Sequence, residues 1–139
     1  MKRTVVSMLH EASRSYTSEP FVAKKGEQGW GHKTFMEVMR DARAFAAALV
    51  DRGIRKNETV AILAEGSPDW VTGEFGVILS GGISVPLSIK LMPDEIPFRI
   101  NHSGARFALV SRNMLPKFTQ VYDSYDHEVE VIVLDENGA

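Results

Sequence analysis

Apolar positions change their period along this chain, and the change separates two kinds of structure. Across residues 5–16, Val5, Met8, Leu9, Ala12 and Tyr16 recur at helical spacing, which predicts a short amphipathic helix that Pro20 interrupts. Segments 21–23 and 30–34 flank Lys24-Lys25-Gly26-Glu27-Gln28-Gly29 and read as a β-hairpin with a glycine-bearing turn. Thr34 and Glu37 then have the spacing of a capping box. Behind them Phe35, Val38, Met39, Ala42, Phe45, Ala46, Leu49 and Val50 fill one face of a helix. Gly53 supplies its stop, with Ile54 placed to fold back on the last turn.

Beyond this helix the pattern becomes a rhythm. Apolar runs centre near Ile62, Val85, Leu109 and Ile132, 23 or 24 residues apart, and helical patterns lie between them. Ser67-Pro68 opens the first of these helices as cap and first-turn proline. Asp94-Glu95 opens the second, which must start close to Asp94 to accommodate Pro97, and Gly104 ends it. Met114, Leu115, Phe118, Val121, Tyr122 and Tyr125 define a third. The segment from Val77 to Leu87 reads as an apolar last helical turn, a Gly81-Gly82 stop and a short buried strand ending at Pro86. Continuous apolar strands alternating with helices imply right-handed βαβ units and a parallel sheet. The expected fold class is α/β: an N-terminal helix and β-hairpin, then a mostly parallel sheet of about four strands flanked by helices. The division expected is 1–33 for helix plus hairpin and 34–139 for the α/β segment. Because the last strand runs straight into Asp135-Glu136-Asn137-Gly138-Ala139, this is expected to be an incomplete part of a larger domain.

Composition narrows the function classes. With 139 residues, 44% of them hydrophobic, the chain has the material for one core and is not a disordered tail. Its net charge of -2 supplies no basic face, so nucleic acid is not an expected partner. The absence of cysteine removes disulfides, thiolate metal sites and a cysteine nucleophile. The apolar run after Lys2-Arg3 stops at His10-Glu11, too short for a signal sequence, and no run approaches the roughly 20 residues that span a bilayer. The expectation is a cytoplasmic protein, with membrane contact peripheral at most. An uncovered sheet face would make the isolated segment prone to self-association.

Ligands of an open parallel sheet sit beyond the carboxyl ends of its strands, which singles out Glu65-Gly66-Ser67, Ser88, Ser111-Arg112 and Asp135. Glu65 has the chemistry of a base or metal ligand, and Ser67 with the following amides that of an anion site. The simpler reading is that Ser67 caps its helix. Ser80-Gly81-Gly82 is no phosphate loop, since no Lys-Ser or Lys-Thr follows. Lys24 and Lys25 read as a solvated face, Thr72-Gly73-Glu74 as helix packing, and Trp70 as core. His10, His32, His102 and His127 share no metal-ligand spacing. No catalytic, cofactor-binding or metal residue is assigned on this basis.

The order of segments nevertheless resembles the beginning of the AMP-forming acyl-CoA synthetases, within the adenylate-forming ligases. Thr34-Phe35-Met36-Glu37-Val38, its alanine-rich helix and Gly53 look like that family's first core motif. Thr59-Val60-Ala61-Ile62 is similar to its Asp-Arg-Val-Ala-Ile strand, and Ser67-Pro68-Asp69-Trp70 to its Ser-x-Glu-Trp helix start. Residues 76–87 resemble its Gly-x-x-x-x-Gly-Gly-x-x-Val-Pro-Leu, and Glu95-Ile96 and Ser103-Gly104-Ala105-Arg106 follow in order. The turn Lys56-Asn57-Glu58-Thr59 departs from the usual Gly-Asp-Arg, and Ser88 stands where fatty-acid members often carry Tyr or Asp.

The resemblance implies a parent enzyme that uses ATP, magnesium and coenzyme A. A carboxylate attacks the α-phosphate of ATP to give acyl-AMP, and the thiol then displaces AMP. A medium- or long-chain fatty acid is the acid expected. The family's Lys-Gly phosphate loop, Tyr-Gly-x-Thr-Glu and Thr-Gly-Asp motifs and late lysine do not occur in these 139 residues. The segment is therefore expected to be inactive alone, to bind none of those cofactors tightly, and to have the remainder of its own chain as partner. The alternative is a self-contained small α/β binding or interaction module.

Overall fold

The computed structural model describes residues 2–135. Its backbone divides into two compact units, one holding residues up to 54 together with 67–80, the other 55–66 together with 81 onward. The last four residues of the sequence, where an interrupted domain is expected, lie outside the described residues.

In the first unit, α1 (Val5–Ser15) starts at Thr4, whose hydroxyl accepts from Ser7 N at 3.1 Å while Ser7 Oγ accepts from Thr4 N at 2.9 Å. The hairpin strands β1 (Pro20–Gly26) and β2 (Gly29–Thr34) pair antiparallel. They run further into the hairpin than 21–23 and 30–34, because Lys24 to Gly26 pair with Gly29 to Gly31 and leave a tight Glu27-Gln28 turn. The helix α2 (Phe35–Asp51) has the capping box its sequence promises, with Thr34 Oγ1 3.2 Å from Glu37 N and Glu37 Oε2 3.1 Å from Thr34 N. It buries Val38, Met39, Ala42, Ala46 and Leu49. Gly53, at φ +90°, closes it: Gly53 N donates to Val50 O and Ile54 N to Leu49 O, the paired bonds of a Schellman stop. Next comes α3 (Pro68–Leu79), capped by Ser67 and packed on α2 so closely that Gly76 meets the Phe45 ring. The Phe21 ring lies 4.3 Å from Phe35 in a tilted arrangement and 6.0 Å from Phe75, on which it stacks. Trp70, expected in the core, is only half-buried, because it stands in the first turn of α3.

The second unit is the parallel sheet. Strands β3 (Thr59–Leu63), β4 (Ile83–Pro86), β5 (Phe107–Val110) and β6 (Glu130–Val133) run in the order β4-β3-β5-β6, every pair parallel. On one face Ala61, Leu63, Ala108 and Val110 pack with Ile96 and Ile100 of α4 (Ile96–Ser103) and Phe118 of α5 (Leu115–Thr119). The alternate residues Val60, Ile62, Phe107 and Leu109 are buried as completely, so both faces read apolar and the strands appear as continuous runs.

Two expectations need correcting. The strand ending at Pro86 is not buried: β4 is a sheet edge, its Ile83 is 48% exposed, and an edge is where a residue without an N–H is tolerated. The third helical pattern does not form one helix. α5 ends at Thr119, and a separate 3-10 turn covers Tyr122–Ser124. Tyr125 is extended, and its hydroxyl donates to Phe118 O at 2.7 Å, so Phe118 and Tyr125 both reach the core without a helix spanning them. Pro97 is accommodated as anticipated, in the first turn of α4 behind a 3-10 turn at Pro93–Glu95.

Candidate functional site

Strand order locates the point of interest within the sheet unit. The chain leaves β3 towards β4 on one side, while it leaves β5 towards β6 on the other. Adjacent strands whose connections diverge form a switch point at their carboxyl ends, which here lies between β3 and β5. Their register sets Leu63 against Val110, and Ser111 N donates to Leu63 O at 3.1 Å. The residues that follow are Glu65 on one side and Ser111, Arg112 and Asn113 on the other.

Glu65 is half-buried, and its carboxyl is held below the usual carboxylate range. The Ser111 hydroxyl contributes most, the Glu65 backbone amide and the Asn113 side chain less, while partial burial works the other way. Ser111 itself is 4% exposed, and its Oγ meets no partner at full hydrogen-bond geometry. Its effect on Glu65 is thus that of a nearby dipole rather than of a formed bond. A carboxylate stabilised in this way is a hydrogen-bond and charge acceptor and a poor general base near neutrality.

The other strand ends are occupied differently. Asp135, beyond β6, accepts from Arg112 N through Oδ1 at 2.6 Å and from Arg112 Nε through its carbonyl at 3.4 Å, tying the ends of β5 and β6 together. Ser88, beyond β4, accepts from Lys90 N at 3.2 Å, and Lys117 Nζ donates to Ile89 O at 2.7 Å. In the other unit Ser67 Oγ accepts from Trp70 N at 3.1 Å, which commits it to the cap. Thr72-Gly73-Glu74 lies inside α3, with Gly73 buried.

The four histidines have separate surroundings. His10 meets Arg43, His102 stacks on Phe98 at 5.6 Å, His32 pairs with Ala23 across the hairpin, and His127 is held by Asp126 and the Ala105 carbonyl. Among the described residues no three His, Asp or Glu side chains gather as a metal site requires, and no helix is long and apolar enough to cross a membrane. Sequence reasoning named Glu65 and Ser111 separately and missed Asn113. Only the adjacency of β3 and β5 joins them, and contiguous apolar runs do not encode which strands are neighbours.

The family model for AMP-binding enzymes matches residues 9–139. The chain belongs to that family. It is 31% identical over 91 residues to 4-hydroxybutyrate–CoA ligase 2 of Metallosphaera sedula, covering 66% of this chain and 16% of the relative. It is 29% identical over 112 residues to gramicidin S synthase 2 of Brevibacillus brevis, covering 79% of this chain and 2% of that protein. Its fold superposes on an anthranilate CoA ligase, AuaEII, solved with anthranoyl-AMP, at a TM-score of 0.84 and 23% identity, over 99% of this chain and 26% of that one. The chain thus spans under a fifth of the length of these curated relatives and about a quarter of that solved ligase. Its α/β architecture is that of the N-terminal part of adenylate-forming ligases.

Proposed function

We propose that this chain is the N-terminal part of the large domain of an enzyme that activates a carboxylic acid as acyl-AMP at the expense of ATP and passes it to coenzyme A. The observation that carries the reading is the family match across residues 9–139. The acids named for the relatives differ in kind, from 4-hydroxybutyrate to anthranilate, so the fatty acid expected from the Ile83-Ser84-Val85-Pro86-Leu87 wording belongs to this proposal and not to the family assignment.

In such a reaction the carboxylate oxygen forms a bond to the α-phosphorus while the bond to pyrophosphate breaks. The thiol sulfur then bonds the acyl carbon and AMP leaves. Preorganised positive charge around the phosphates is the main accelerating effect. At the switch point of the sheet stand a carboxylate, a serine and an asparagine, none of them positively charged, and the Arg112 between the last two is bonded to Asp135. Residues 1-33 and 34-139 therefore act as scaffold, holding the rest of the large domain in place.

Acid-dependent ATP–pyrophosphate exchange tests this. Exchange by the full-length protein with at least one acid class, and none by residues 1–139 alone, is the expected result. A full-length protein inert towards aliphatic, aromatic and amino acids would refute the activity; exchange by the segment alone would refute the scaffold role.

A further inference from the structure

The first unit carries a charge pattern that neither its folding nor acid activation uses. His10 and Arg14 from α1, with Met36, Arg40 and Arg43 from α2, line a cleft of about 590 Å³. Helical spacing accounts for the convergence: His10 and Arg14 are four apart, Arg40 and Arg43 three apart, so each pair projects from one face of its helix. Placing two guanidiniums one turn apart works against α2, since like charges at that spacing repel. Among the described residues no carboxylate lines the cleft.

The neighbouring groups leave the positive charge largely in place. Asp41 meets Arg40 Nε at 3.3 Å, but its shorter contact, 2.8 Å, is to Lys33. Arg43 Nη2 lies 2.8 Å from His10 Nδ1. A guanidinium only donates, so His10 Nδ1 accepts and its ring proton sits on Nε2. This bond orients Arg43 without neutralising it. An adjoining cavity of about 560 Å³ shares His10 and Arg14 and adds Lys2, Arg3 and Glu11, the last 3.6 Å from Arg3, so that two cations there remain unbalanced within the lining. The basic field therefore extends along α1.

We propose that this cleft binds a phosphomonoester, with Arg14, Arg40 and Arg43 as its donors. A lone carboxylate would balance one of three guanidiniums and leave the others facing each other. A phosphomonoester brings a charge near −2 and three terminal oxygens, each able to take a guanidinium N–H. Met36, 55% exposed, supplies an apolar wall for the organic part of the ligand. Such a group reaches the cleft either on a soluble metabolite or on a lipid headgroup. The site is independent of the acyl-activation reading, since it lies on α1 and α2 and needs no part of an adenylation centre.

Two arms test it on the full-length protein and on its R14Q and R40Q/R43Q variants. In one, glycerol 3-phosphate is titrated calorimetrically; in the other, the protein is sedimented with phosphatidylcholine vesicles containing or lacking phosphatidic acid. The expected result is binding in at least one arm, weakened about tenfold for each arginine removed and falling steeply with added salt. Binding to glycerol 3-phosphate identifies a soluble ligand, and binding only to phosphatidic acid vesicles identifies a headgroup. R43K keeps the charge and loses the fork, so it is expected to fall between R40Q/R43Q and the native chain. All three arginines are exposed, and a urea midpoint no lower than that of the native chain confirms that each variant folds. Native protein that binds in neither arm, or variants that bind as the native chain does, would overturn the proposal.

Discussion

Replacing Gly76 by alanine sets two effects of known size against each other. Alanine is the better helix former by about 1 kcal/mol, and Gly76 lies inside α3, so propensity alone predicts a gain. A Cβ at this position, however, would run into Phe45 Cδ1 of α2 and stand 3.2 Å from both its Cβ and its Cγ. Turning the Phe45 ring relieves the first contact but not the one to Cβ, which moves only with the backbone. The helices must therefore part by some tenths of an ångström, and overpacking of this kind costs roughly 1–3 kcal/mol. The expected outcome is a net loss of about 1 kcal/mol, read as a lower urea midpoint at constant slope. In a Phe45→Ala background the obstacle is gone and the same substitution should stabilise by about 1 kcal/mol, a coupling of about 2 kcal/mol across the cycle. Gly76→Ala stabilising in both backgrounds would show that close helix approach is not what glycine provides there.

Two further predictions concern ionisation within the sheet unit. Tyr125→Phe removes the hydroxyl that satisfies Phe118 O and should cost about 1–3 kcal/mol in denaturant unfolding, because that carbonyl is left without its donor. Burial, with Tyr122 adding less, raises the Tyr125 pKa above its ordinary 10.0; the stability this brings is intact below pH 10 and lost above it, so the native chain should weaken more steeply in alkali than Tyr125→Phe. The Asp126 carboxylate first, then the Ala105 carbonyl, raise the His127 pKa above 6.5 against the opposing effect of burial. Its contribution is complete below 6.5 and disappears as pH rises through the higher folded value, so a urea-midpoint series should show an extra decline on the alkaline side of 6.5 that His127→Gln abolishes.

Features set by neighbours in sequence were legible in this chain. The Thr34–Glu37 box and the Gly53 stop each need residues within five positions, and both form as their sequence spells out. The four apolar runs give β3 to β6, and in β3 and β5 burial on both faces accounts for the continuous signature. Failures begin where tertiary structure decides. Val85 and Leu109 look alike in sequence, yet β4 is an edge and β5 lies inside the sheet. Phe118 and Tyr125 are seven apart, a helical repeat, but the Tyr125 hydroxyl finds the Phe118 carbonyl by leaving the helix. Glu65, Ser111 and Asn113 span nearly fifty residues and come together only because β3 and β5 are adjacent.

Backbone conformation accounts for the residues at the Gly81 joint. Gly81 has φ +88°, and its carbonyl accepts from Asn57 N at 2.8 Å; Asn57 has φ +67°. Next in the ladder, Ile83 N donates to Glu58 O, and Thr59 comes into register with Ile83. Two left-handed residues thus face each other where β3 and β4 begin to pair, and side chains other than those of glycine and asparagine are strained in that conformation. With Val60-Ala61-Ile62 aligned on the Val-Ala-Ile of the family strand, Asn57 falls where the glycine of Gly-Asp-Arg would stand. The departure at this turn therefore exchanges glycine for the residue that best tolerates the same backbone. A Cβ added at Gly81 would make only ordinary contact, its nearest neighbour being Lys56 Cα at 3.8 Å, so dihedral angle rather than crowding selects glycine there. What the joint sets is the entry of two parallel strands into register, a requirement of the sheet itself.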